Sequence, residues 1–393
     1  MRRGLIVLLL VLAAAAGWYW WQGSQGAAEA GTQASLLPLL SEEDTAGYAR
    51  ATEPGAITFP RDLGPHPDFQ TEWWYYTGNL QAADGRRFGY QLTFFRRALT
   101  ADGALQGADG EAQDPSTWRS NQVYLAHFTI SDIDGEAFYA NERFSRGALG
   151  LAGAQAEPYR VWLEDWSAEQ TAPDVVRLQA EAEEVALDLE LRQTLPPILH
   201  GADGLSPKGP EEGNASYYYS LVQQETTGTV TVQGERVAVS GLSWKDHEYS
   251  TSALSTGAIG WDWFSLQLDN GGALMFFQIR REDGTLQPES SGTFILPDGS
   301  TQEVTLEMWQ MEVTDTWTSP HSGAEYPAGW RIRIPELDLS LEGAPLLADQ
   351  ELNVSTVYWE GAVQFEGTWQ GEPVRATGYI ELTGYAGTME GRL

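Results

Sequence analysis

The sequence predicts an all-β protein made of two successive antiparallel β-barrels, and three observations carry that prediction. The 393-residue chain holds 16 Trp, 16 Tyr and 13 Phe, side chains that suit the half-buried pleat of a strand. Its 42 Gly and recurrent Asp-Gly pairs cut the chain into short runs, and stretches of helical period are scarce. The runs fall into two series, each of a length and spacing that suits a closed sheet. At 42% hydrophobic residues, the chain has enough apolar surface to fill a substantial core in each.

The elements follow in order. Arg2 and Arg3 precede an apolar run over 4–17 and the cluster Trp18, Tyr19, Trp20 and Trp21. A basic start, about 18 apolar residues and an aromatic belt mark 1–33 as a signal peptide or membrane anchor. That reading exports the protein to the periplasm or the periplasmic face of the inner membrane, with membrane association through this segment. Residues 34–56 read as a polar tether containing a short helix over 42–50.

A first domain is expected over 57–249. Strands at 72–80 and 87–95 flank the Asp84-Gly85 turn, and 122–131 alternates apolar and polar residues. Further strands are expected at 159–168, 176–182, 185–194, 216–224, 227–233 and 236–244, with a Pro- and Gly-rich insertion over 195–210 that holds His200 and Lys208, candidates for a lid. The second domain, 250–393, follows a boundary near 249–258. It opens with a strand at Trp261 and continues at 274–281, 292–296, 304–313, 330–334, 337–341, 356–367 and 378–383, with turns at Asp283-Gly284 and Asp298-Gly299.

Charge and composition exclude several functions. A net charge of −32 repels phosphate, so nucleic acid is not a partner, and lipid contact must use an apolar cavity or the N-terminal segment. The absence of cysteine removes disulfides, thiolate catalysis and zinc-thiolate centres. The chain has no Gly-x-Ser-x-Gly elbow, phosphate-binding glycine loop or dinucleotide fingerprint, which argues against serine esterases, nucleotide hydrolases and nicotinamide enzymes.

Two strings concentrate chemistry. Trp244-Lys245-Asp246-His247-Glu248-Tyr249 is followed by Gly260-Trp261-Asp262-Trp263-Phe264, which sets titratable groups among aromatic rings. A carboxyl group held against Trp loses solvation and becomes a proton donor, and a neighbouring His can accept a proton near neutral pH. The same groups also suit a hydrolysis, or a purely structural crossing between domains. Glu72, before Trp73, Trp74, Tyr75 and Tyr76, either reaches this pocket or pairs with Arg96. His66, Glu72, His127 and His247 are chemically able to bind a metal, but no ligand spacing supports a site, so neither metal nor cofactor is expected.

Several strings resemble the lipocalin-like family of carotenoid 1,2-hydratases and predicted secreted hydrolases. They include His66-Pro67, Glu72-Trp73-Trp74-Tyr75, the stretch from Gly89 to Arg96, His127-Phe128, the stretch from Glu142 to Ser145, Ala215 to Ser220, Asp246-His247-Glu248, Gly260 to Phe264, Tyr358-Trp359-Glu360-Gly361 and Glu381 to Tyr385. The resemblance covers 59–393 and implies two tandem lipocalin-like barrels around an apolar isoprenoid or lipid. It also implies acid-catalysed addition of water to a carbon-carbon double bond, through a His, a Trp two residues later, and a later aromatic and Asp. Here His247 matches the His, Tyr249 stands at the Trp position, and Asp262 is the expected general acid. His247 and Asp246 are expected to position or activate water. Glu72, Trp74, Tyr76, Trp244, Glu248, Tyr249, Trp261 and Trp263 are expected to line the ligand. The competing expectations are a non-enzymatic lipid carrier or accessory of a membrane export system, and a secreted hydrolase.

Overall fold

The computed structural model describes residues 45–101, 120–251 and 254–389, all of which belong to one compact unit spanning Leu39–Leu393. The leader 1–33 and the start of the tether lie outside the described residues. Residues 45–50 form turns, so the helix expected over 42–50 does not form there. Among the described residues no helix is long and apolar enough to cross a membrane.

The chain is almost wholly β, in two antiparallel sheets. The first contains β1 (Thr71–Ala82), β2 (Arg87–Ala98), β3 (Gln122–Asp132), β4 (Ala137–Arg146), β5 (Ala152–Gln155), β6 (Arg160–Leu163), β7 (Trp166–Ala172), β8 (Val175–Glu181), β9 (Val185–Gln193), β10 (Ile198–Leu199), β11 (Leu205–Pro207), β12 (Ala215–Val232) and β13 (Glu235–Ser250). The second contains β14 (Ala258–Leu268), β15 (Ala273–Arg281), β16 (Ser291–Ile295), β17 (Thr301–Thr305), β18 (Gln310–Thr318), β19 (Glu325–Ile334), β20 (Leu339–Pro345), β21 (Glu351–Asn353), β22 (Val357–Trp369) and β23 (Glu372–Leu382).

Both sheets share one plan. In the first the order is β4-β3-β2-β1-β13-β12-β9-β8-β7-β6-β5, and in the second it is β17-β16-β15-β14-β23-β22-β20-β19-β18. Each sheet therefore pairs its first strand with its last, the connection that wraps a meander toward a barrel. The first sheet comes close to closing on itself and the second forms a half-barrel, which matches the expected pair of lipocalin-like barrels. The final hairpins also match. Gln233-Gly234 and Gln370-Gly371 are two-residue turns with positive φ at both positions (50° and 81°; 52° and 79°), the backbone that joins twisted antiparallel strands most directly.

Some boundaries differ from those read in the sequence. The runs 216–224 and 227–233 are one strand, β12, because Glu225 and Thr226 stay paired with Leu242 and Gly241 on β13; the one irregularity, between Leu221 and Gln224, is a shift of register inside the first run. The run 159–168 is two strands, divided at Glu164, whose φ is 57°. Strand β13 continues six residues past the expected end at Trp244.

Each sheet wraps its own apolar core. Trp74, Tyr90, Phe128 and Trp166 fill the first barrel, and Phe264, Phe276, Trp330 and Trp359 fill the second. A third cluster, including Tyr75, Tyr218, Trp244, Trp263, Met275 and Tyr379, lies between the sheets and joins them. Gly89 permits that closeness, since a Cβ at this position would sit 2.6 Å from the Tyr379 hydroxyl and 2.8 Å from the Ala362 Cβ. Gly89→Ala is expected to lower stability by about 1–3 kcal/mol through overpacking, a change that denaturant titration would register.

Candidate functional site

Side chains alternate across a strand, so neighbours in the string 244–249 face opposite ways. Lys245, His247 and Tyr249 lie opposite Tyr76, Trp74 and Glu72 on β1, and they turn into the first barrel with them. Trp244, Asp246 and Glu248 lie opposite Thr77, Tyr75 and Trp73, and they face the second sheet. Asp262 shares its face of β14 with Phe264 and Leu266, which belong to the second barrel's core. The three residues expected to act together, His247, Asp246 and Asp262, therefore occupy three separate spaces.

Inside the first barrel a hydrogen-bonded chain runs inward from the mouth. Asp62 Oδ1 lies 3.0 Å from His66 Nε2, and His66 Nδ1 lies 2.8 Å from Glu72 Oε1. Glu72 Oε1 also lies 2.8 Å from His247 Nε2, and His247 Nδ1 is 2.9 Å from the Tyr219 hydroxyl, which accepts from Lys245 Nζ at 3.2 Å. Arg96 Nε donates to Glu72 Oε2 at 2.8 Å, so the pairing with Arg96 offered for Glu72 forms. Burial alone would raise the Glu72 carboxyl, but Arg96 and the two imidazoles hold it well below the usual carboxylate range. Burial would also lower His66, yet Asp62 and Glu72 more than offset it and raise its pKa. Tyr249, at the position of the family's Trp, stacks on the His66 ring at 3.5 Å.

His66, Glu72 and His247 bring three candidate ligand atoms within 4.8 Å of one another, whereas His127 lies apart, bonded to Tyr358 and Glu142. Each of the three is already partnered, and the Arg96 guanidinium supplies the positive charge that Glu72 needs. In the second barrel, Asp262 accepts from Arg280 Nε at 2.9 Å, Gln278 Nε2 at 2.8 Å and the Tyr385 hydroxyl at 3.1 Å. Burial raises its pKa despite Arg280. A carboxylate whose lone pairs are taken by three donors is poorly placed to protonate a ligand.

The space between the sheets differs in kind. Asp246, 3% exposed, accepts from the Tyr218 hydroxyl at 2.6 Å, from Trp244 Nε1 at 2.6 Å and from Ser220, and burial pushes its carboxyl up to about 7. Trp263 Nε1 donates to the same Tyr218 hydroxyl at 2.9 Å. Glu381 accepts from Trp261 Nε1 at 2.6 Å and is also pushed up to about 7 by burial, with the Asp246 and Glu248 charges adding to it. Glu360, fully buried, is raised well above its ordinary range, by burial and then by Glu381. No salt bridge reaches Asp246, Glu360 or Glu381 among the described residues, whereas Glu248 pairs with Lys208 at 3.0 Å. The rim on this side consists of Trp73, Trp261 and Glu381, each part-exposed. An open groove of about 690 Å³ runs along another stretch of the junction, past Asn79, Phe88, Val239, Leu346, Gln364 and Thr377, and includes none of the acids.

The family model described as AttH-like matches residues 50–385. This chain belongs to the AttH-like family. Among solved structures, a protein described as an AttH from Nitrosomonas europaea is 35% identical, with a TM-score of 0.75, over 86% of this chain and 99% of the other. Kievitone hydratase from Nectria haematococca shares the fold at 14% identity, with a TM-score of 0.64, over 87% of this chain and 97% of the other. No curated protein matches the sequence.

In this AttH-like chain the expected ligand-lining residues divide as the catalytic ones do. Trp244, Glu248, Trp261 and Trp263 face the junction between the sheets, while Glu72, Trp74, Tyr76 and Tyr249 face the first barrel. Sequence reading missed Glu360, Glu381 and Tyr75 as site residues. A signal for the two acids was present, since counting back from the Gln370-Gly371 turn sets Glu360 opposite Glu381. The insertion also reaches this space. His200 hydrogen-bonds Ser220 at 2.6 Å and Thr293 at 2.9 Å, and Lys208 lies 3.9 Å over the Phe277 ring.

Proposed function

We propose that this AttH-like protein binds a long, unsaturated apolar molecule between its two sheets and adds water across a carbon-carbon double bond by acid catalysis. One observation carries the reading. Three carboxyl groups, Asp246, Glu360 and Glu381, sit among Trp and Tyr rings, and none of them forms a salt bridge among the described residues. Such groups keep a proton near neutral pH, and π-rich walls stabilise the carbocation that protonation creates. The family relationship and the fold shared with kievitone hydratase are consistent with this chemistry. The basic and apolar residues at the start of the sequence support a site of action on the exported side of the membrane.

The test is incubation of the full-length chain in detergent micelles with lycopene, squalene and a membrane lipid extract in ¹⁸O-labelled water. Mass spectrometry should find a single labelled addition product. Label in one of two cleavage fragments would show a hydrolase, and recovery of bound, unaltered lipid would show a carrier. Turnover should also depend on pH. Because burial raises the Glu360 carboxyl well above its ordinary range while Asp246 and Glu381 lose their protons near 7, the rate is expected to rise with pH up to about 7 and level off above it. A rate that falls as pH rises from about 6 to 7 would contradict the proposal.

A further inference from the structure

The acids between the sheets are not equivalent. Asp246 is pinned by the three donors Tyr218, Ser220 and Trp244, which occupy its oxygens as acceptors. Glu381 is held by Trp261 on one oxygen and lies at the part-exposed rim. Neither oxygen of Glu360 has a donor in good hydrogen-bond geometry, and the hydroxyls of Tyr75 and Tyr358 lie close enough to favour its charged form only in part.

Glu360 is not alone in this. The Tyr75 hydroxyl, the Tyr379 hydroxyl, Gln91 Oε1 and Thr129 Oγ1 are also buried without partners, and all lie on strands that meet at the same junction. Isolated orphans occur in native proteins, and six such atoms from five residues at one place give the junction a cluster of polar groups able to take up water or a polar group of a ligand. Residues directly opposite on antiparallel strands have Cβ atoms about 4.5–5.5 Å apart, so Glu360 on β22 and Glu381 on β23 can pass a proton directly or through one water.

We infer that Glu360 is the proton donor of the proposed hydration and that Glu381, opposite it, is the base that receives the proton of the attacking water. The inference rests on the proposed function. In the first step the π electrons of the double bond take the Glu360 proton, forming a C–H bond and leaving a carbocation facing Tyr75 and Trp263. A water oxygen then forms the C–O bond, and its proton goes to the Glu381 carboxylate. Transfer from Glu381 to Glu360 restores the starting state, so alkene and water give alcohol with no other reactant. Asp246, fixed by its donors, supplies negative charge beside the carbocation. Burial, which raises the Glu360 carboxyl well above its ordinary range, supports the assignment.

The test does not need the substrate. Infrared difference spectra of the full-length chain in buffers from pH 6 to 9 report protonated carboxyl groups by a carbonyl band well separated from carboxylate bands. A protonated band that persists into the alkaline buffers and disappears in Glu360→Gln is expected. In Glu381→Gln that band should remain but titrate at lower pH, because the opposing charge is gone. Survival of the persistent band in Glu360→Gln, with unchanged near-ultraviolet circular dichroism, would overturn the inference whatever the turnover data show. Turnover of lycopene or squalene separates the two claims. Loss of hydration in Glu360→Gln, with the infrared result as expected, supports both. The expected infrared pair with no turnover by the unaltered chain would overturn the hydratase reading and leave the carboxyl pair standing.

Discussion

Glu72→Ala is expected to cost about 3–5 kcal/mol of folding stability, the largest single effect foreseen here, because it strands a buried Arg96. Both side chains are essentially inaccessible, and the Arg96 guanidinium also donates to the backbone carbonyls of His66 and Phe69 and to Gln122. Without the Glu72 carboxylate the guanidinium keeps its charge in a poorly solvated place, while His66 and His247 lose the acceptor they share. The double variant Glu72→Ala/Arg96→Met should recover much of the loss, since a buried ion pair replaced as a unit by apolar groups costs little. Denaturant titration of the four proteins of this cycle measures the coupling. A Glu72→Ala penalty below about 1 kcal/mol would show that water reaches Arg96 and that the network is not the closed structure described.

Lys245→Met should act in the opposite direction, with an effect that depends on pH. Lys245 is 1% exposed, has one hydrogen bond, to Tyr219, and lies over the rings of Tyr159 at 4.6 Å and Tyr219 at 5.3 Å. Burial pushes its amine down to about 7, against the pull of Glu72 and Asp246. Between about 7 and the ordinary lysine value the unfolded chain therefore binds more protons than the folded one, so this group adds stability as pH rises through that window. Below it, the folded state carries a buried ammonium at full cost. Lys245→Met is thus expected to raise stability at pH 6 by an amount on the order of a few kcal/mol, with the gain shrinking toward pH 10. Equal gains at both ends would show that Lys245 does not titrate in this range. Asp246→Asn should show the mirror dependence. Its raised pKa removes stability as pH climbs from the ordinary aspartate range to about 7, so the variant gains on the parent as pH rises through that window.

The strands were legible because aromatic and β-branched runs alternate with polar residues, and Asp-Gly and Gln-Gly pairs mark where they reverse. The site was legible only in part, and the reason is a boundary. Ending the strand at Trp244 let Asp246 and His247 be grouped as neighbours, whereas β13 runs on to Ser250 and its pleat sends them to opposite faces. The same period separates Asp262 from Trp261 and Trp263. The bulge between Leu221 and Gln224 also sets Ser220 opposite Asp246, a pairing that no sequence spacing announces. Glu360 and Glu381 stood within strings that carried the family resemblance, yet neither lies in a run of titratable residues. Their meaning comes from burial between two sheets, which depends on how the barrels pack.

The claim that the chemistry lies between the sheets is tested most directly by comparing Asp246→Asn with Asp262→Asn in the ¹⁸O-water hydration assay. The account predicts that Asp246→Asn lowers kcat/KM by about 10²–10⁴-fold while Asp262→Asn, altered only inside the second barrel, stays within about tenfold of the parent. Retained activity in Asp246→Asn with loss in Asp262→Asn would move the reaction into the second barrel and contradict it.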